Sequence, residues 1–158
     1  MRIHAALSCG TSLFVLFLAA STARAATPTA CDLFTTQAAA ALAGDAVGAP
    51  KDIQGKGCSY TTKSGALIGL AVADMAPDDA KNYMVAMRSM VSSPATTETI
   101  PGLGEQNFLI VRPESQKDKN ALLVIYHQKS LTLGVQRKMT PNLKAAMVQA
   151  MRQILSKI

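Results

Sequence analysis

The chain predicts an α+β domain, a mostly antiparallel sheet covered by helices, and three observations carry that class. Apolar runs of strand length cluster around residues 58–73 and 108–136. The connections within each cluster are too short for a parallel crossover, so the strands should pair antiparallel. Segments with helical spacing of apolar residues stand before, between and after these clusters, and helices laid on a sheet bury both sets of apolar faces economically.

The front of the chain is expected to lie outside the fold. Arg2 and His4 make a short polar start, residues 13–20 (LFVLFLAA) form an apolar core, and Ala23-Arg24-Ala25 is a small-x-small cleavage site. Residues 1–25 therefore read as a secretory signal peptide, leaving 26–158 as a single α+β domain. A membrane anchor is the competing interpretation, but the apolar core falls short of the roughly 20 residues a spanning helix needs. No transmembrane segment is expected once the signal is removed, and the location is periplasmic or secreted. Lipid attachment at Cys31 is disfavoured because Pro28 stands where a lipoprotein signal wants Leu.

Removing 25 of 158 residues leaves 133, a length suited to one domain. Arg2 and Arg24 leave as well, so 16 basic residues become 14 against 10 acidic ones, a net charge of +4. The charge is scattered, and no basic stripe interleaved with aromatics argues for nucleic acid. Of three cysteines, Cys9 belongs to the signal, and Cys31 and Cys58 remain as an even pair in an oxidising compartment. They predict a Cys31–Cys58 disulfide. Zinc would need more ligands than these two cysteines and one mature histidine supply.

The elements follow in order. Residues 26–30 are expected to fray. Thr35 or Thr36 caps an alanine-rich helix that Gly44 ends. Gly48-Ala49-Pro50 opens a loop, and a strand runs from Cys58 to Thr62. Lys63-Ser64-Gly65 turns the chain, and residues 66–73 return, with Leu67, Ile68, Leu70 and Val72 expected in the core. Pro77, Asp78 and Asp79 start a second helix, since proline fits a first turn and acids complement the helix dipole. Its apolar face carries Ala80, Met84, Met87 and Val91. Ser92-Ser93-Pro94 ends it, and residues 95–99 suit a short edge strand.

Residues 100–137 organise the rest. Pro101, Gly102 and Gly104 turn the chain into the strand Phe108–Val111, which Pro113 closes. Residues 113–120 offer no apolar anchor and read as a solvated loop. Residues 121–126 (ALLVIY) are the most apolar run of the mature chain and predict a central strand buried on both faces. After a turn at residues 127–130, Leu131, Leu133 and Val135 alternate with Thr132, Gly134 and Gln136, the pattern of a strand with one wet face. Thr140-Pro141 opens a last helix with Leu143, Met147, Ala150, Met151, Ile154, Leu155 and Ile158 along one stripe.

Taken together, residues 31–35 (CDLFT), 41–44 (ALAG), 57–60 (GCSY) and 102–105 (GLGE) resemble a family of small secreted bacterial domains of unknown function. Members typically read Cys-x-Leu-Leu-Thr, a helix ending in Leu-Gly, a Cys-x-aromatic strand, and a Gly-Val/Leu-Gly-acid turn before a strand. The resemblance implies an α/β/α sandwich similar to the PsbP-like fold and a disulfide between the two motif cysteines. Many members are similar to lipoproteins, and Pro28 departs from that pattern. The resemblance implies no reaction.

No catalytic constellation emerges. His127 is the one mature histidine, beside a turn, with no nucleophile or orienting acid that can be placed with it. Asp78 and Asp79 are explained by the helix start, and nothing fixes the separation of Glu98 and Glu105. Ser64 and Ser130 lack a nucleophile-elbow pattern, and Gly102-x-Gly104 precedes a strand where a nucleotide fingerprint would open a helix. The expected function is thus a non-catalytic secreted or periplasmic domain that binds a protein or envelope partner, without a cofactor. The alternative is a small-ligand or Cu(I) carrier using Met84, Met87 and Met90, because thioethers are soft ligands, although methionine is also ordinary core filler.

Overall fold

A computed structural model describes residues 27–113 and 119–158. The expected signal peptide, and residues 114–118 of the expected loop, lie outside them. The first element is α1 (Ala30–Leu33), a single turn held by a reciprocal cap. The Thr29 hydroxyl accepts from the Asp32 N–H, and the Asp32 carboxylate accepts from the Thr29 N–H at 2.8 Å. This corrects the expectation that residues 26–30 fray: residues 29 and 30 are held, because these bonds satisfy donors that would otherwise face water. The next helix, α2 (Thr36–Ala43), starts on a Thr35 cap and ends at Gly44, whose φ of 65° only glycine adopts freely.

Seven strands follow in one antiparallel sheet: β1 (Lys51–Ile53), β2 (Gly57–Thr61), β3 (Leu67–Asp74), β4 (Thr96–Glu98), β5 (Gln106–Val111), β6 (Lys119–Tyr126) and β7 (Lys129–Gln136). Helix α3 (Asp79–Ser89) separates β3 from β4, and α4 (Pro141–Leu155) closes the chain on a Thr140 cap. The spatial order is β1-β2-β3-β7-β6-β5-β4. The two expected strand groups thus join through β3 and β7, with Leu70 opposite Leu133. The short strand β1 lies where the sequence suggests loop only. Its three residues, Lys51, Asp52 and Ile53, are all exposed and too few to show a strand period, and pairing with β2 is what extends them.

Alternation along the strands divides the core in two. One face buries Tyr60, Ile68, Leu70, Leu122, Val124, Leu131, Leu133 and Val135. Phe34 and Leu42 from the α1–α2 segment, and Leu143, Met147, Met151 and Ile154 from α4, pack on them. Each fully buried Leu or Ile contributes roughly 1.5–3 kcal/mol of transfer free energy. The Cys31–Cys58 disulfide sits in this layer and ties α1 to β2. Beside it, the Tyr60 hydroxyl donates to the Phe34 carbonyl at 2.8 Å, which satisfies a buried polar group.

The described residues cover the opposite face only in part. Met84 of α3 packs with Phe108, Ile110, Leu123 and Ile125, so this second core spans β5 and β6. Leu67 corrects the sequence expectation here. It is 42% exposed and belongs to the face away from Ile68 and Leu70, since successive strand residues point to opposite sides.

Candidate functional site

Where α3 stops, no helix among the described residues covers the sheet. The register shows how the surface changes across the strands. One cross-strand row runs Lys51, Ser59, Gly69, Gly134, Ala121, and the next runs Ile53, Gly57, Ala71, Thr132, Leu123. Ala121 and Leu123, at one end of these rows, pack with the α3 layer. The residues between them and the β1 edge are Gly, Ala, Ser and Thr, and they floor an open trough of about 610 Å³. Ile53 and Leu67 stand beside this floor, 52% and 42% exposed. Lys51 and Lys119 also line it, and no Asp or Glu is among its described lining residues.

The floor glycines have different physical reasons. A Cβ on Gly69 would come 3.0 Å from the Cys58 carbonyl oxygen, and one on Gly57 would come 3.1 Å from the Ile53 Cβ. Those two positions are crowded. Gly134 is not: among the described residues an added Cβ would meet only the Gly69 carbonyl oxygen, at 4.0 Å, and its φ is not in the left-handed region. Glycine inside a strand weakens it, and neither its backbone conformation nor its described neighbours demand glycine at position 134.

The residues singled out in the sequence do not converge on this trough. Cys31 and Cys58 are joined in the disulfide, and only Cys58 reaches the trough lining. Met84 is buried in the second core, Met87 packs partly buried against it, and Met90 is 72% exposed, so the three thioethers do not share one environment. His127 stacks on Tyr126 with ring centroids 4.0 Å apart. Its backbone N–H donates to the Glu105 carboxylate at 3.1 Å. Asp78 heads α3 without a side-chain capping bond. Glu98 pairs with Lys144, which ties the β4 edge to α4.

Sequence reasoning missed the trough. The signal was present as period-2 pairs of small residues, Gly57 with Ser59, Gly69 with Ala71, and Thr132 with Gly134. Read strand by strand they look like an ordinary wet face. Only the sheet order brings them side by side.

No helix among the described residues is long and apolar enough to cross a membrane. The chain matches no family model, no curated protein and no solved structure.

Proposed function

We propose that the protein is a non-catalytic, secreted or periplasmic binding domain that docks its partner, a protein or an envelope component, in the open trough. The observation that carries this is the half-covered sheet: α3 roofs β5 and β6, while β1, β2, β3 and β7 present a small-residue floor beside exposed Ile53 and Leu67. Exposed apolar surface of this kind raises the free energy of the free protein and is relieved by association. The disulfide supports residence in an oxidising compartment. Helices on both faces of an antiparallel sheet support the α/β/α layering implied by the resemblance to PsbP-like domains.

Photo-crosslinking in intact cells tests the docking face. A benzophenone side chain replaces Leu67 in one variant and Val85 in another; Val85 is the more open to solvent, at 62% exposure against 42%, but lies on α3. A discrete adduct from position 67, absent from position 85 and lost when Gly134→Leu fills the floor, is expected. Equal labelling from both positions, or none from position 67, refutes the docking face.

A further inference from the structure

On the docking reading above, we infer that the occupant is one amphipathic helix of a partner protein, laid along the strands, with acidic residues on both of its flanks. Width is the first ground. Lys51 is on β1 and Lys119 on β6, four strand spacings apart, which is about 19 Å. A helix with its side chains is about 10–12 Å across. One helix fits between the two lysines, two do not, and the flexible lysine stems reach inward to its edges.

The neighbouring layer is the second ground. Helix α3 already shows how this sheet face seats a helix, with Met84 set among Phe108, Leu123 and Ile125. The trough begins where that cover ends. A guest helix there completes the layer, and the floor of Gly69, Ala71 and Gly134 lets its backbone approach closely. Ile53 and Leu67 give its apolar stripe two side chains to pack against.

Charge is the third ground and fixes the chemistry of the flanks. Neither Lys51 nor Lys119 is paired with a carboxylate among the described residues, and no Asp or Glu stands among the described lining residues of the trough. Cations on both sides of a small-residue floor, with Ile53 and Leu67 beside it, select a helix that is apolar beneath and acidic on each flank. A small molecule is the poorer fit, because such ligands lie mostly enclosed. Ile53 and Leu67 here stay about half exposed beside an open floor.

The test titrates the disulfide-bonded mature protein with two synthetic helical peptides that share one Ala/Leu face. One carries Glu on both flanks and the other carries Lys. Phosphatidylglycerol vesicles form a third arm, and sedimentation of the protein alone a fourth. Amide resonances of Gly69, Thr132 and Gly134 are expected to shift with the acidic peptide, which binds at least about tenfold tighter than the basic one. The double variant Lys51→Glu, Lys119→Glu is expected to reverse that order. Gly134→Leu is expected to abolish binding, with Gly134→Ser as the milder variant should the larger side chain impair folding. Equal binding of the two peptides, shifts confined to other surfaces, binding of vesicles alone, or a dimer closed through the trough each overturn the helix. If the crosslink from position 67 persists while the acidic peptide leaves the trough unperturbed, the helix falls and the docking face stands. If both fail, the docking face falls too.

Discussion

At Gly104 and Gly134 the same residue type answers different demands. Gly104 has a φ of 66°, and a Cβ there would fall 2.7 Å from the Ile125 carbonyl oxygen. It lies in the turn that leads into β5, where the Glu105 N–H donates to that same carbonyl at 2.9 Å. Gly104→Ala should therefore destabilise the domain by more than about 1 kcal/mol, from backbone strain and a steric clash together. Gly134→Ala should do the reverse and stabilise it by about 0.5–1 kcal/mol, because nothing crowds the new methyl and the unfolded chain loses freedom. Urea unfolding of the two variants reads both signs; a destabilised Gly134→Ala would mean that the strand itself needs glycine there. Asn107 is a further case at this scale. It is buried and closes the turn from within, accepting from the Ile100 N–H at 2.7 Å and donating to the Ile100 and Leu103 carbonyls at 2.9 and 2.6 Å. Its role is invisible in sequence, since an asparagine beside a strand is ordinarily a solvated residue.

The elements are held at their ends as much as along their faces. The disulfide closes a loop between residues 27 apart and carries α1 onto β2. Its removal in the Cys31→Ala, Cys58→Ala double variant should cost roughly 3 kcal/mol by the chain-entropy estimate. Denaturant titration should show an unchanged fold with an earlier midpoint. Strand β3 ends at Asp74, whose carboxylate accepts from the Lys129 ammonium of β7 at 2.6 Å. That hydrogen bond, and then the Coulomb attraction of the same lysine, hold the Asp74 carboxyl below its ordinary pKa. A depressed folded-state pKa contributes stability that is present above the unfolded value and is lost as pH falls through the folded one. Asp74→Asn should therefore lower the urea midpoint at neutral pH, and the gap should close as acid protonates the folded-state carboxylate. The difference should shrink in high salt, because the pair is open to solvent. A gap that persists in acid would assign the effect to something other than this charge.

Across the whole molecule the two cores are unequal. The layer under α1, α2 and α4 gathers most of the buried apolar residues, while α3 rests on a small cluster around Met84 and Phe108. Native-state hydrogen exchange should accordingly show α3 opening at lower free energy than α4. Protection of α3 equal to that of α4 would mean that the half-covered layer is not the weaker one. The same asymmetry leaves the trough open, so the weaker layer and the candidate docking face share one cause.

Much of the architecture was legible from residues alone. Thr35, Gly44 and Thr140 mark helix ends through local hydrogen bonds that any chain with those residues can make. Residues 121–126 announce a strand buried on both faces, because a run that apolar is stable only between two layers. Even the disulfide followed from counting, once the first cysteine was assigned to the signal. These are short-range properties, carried by neighbours in the chain. The trough is not. Gly69 and Gly134 stand 65 positions apart in the chain and become neighbours only because β3 pairs with β7. Leu67 looked like a core residue because its composition says apolar, and only the register turns it to the open face. Local sequence determined most of the helices and strands, β1 excepted, and which residues want burial. Tertiary structure decided which half of one sheet face is left without a helix, because that depends on the order of the strands and on where α3 comes to rest.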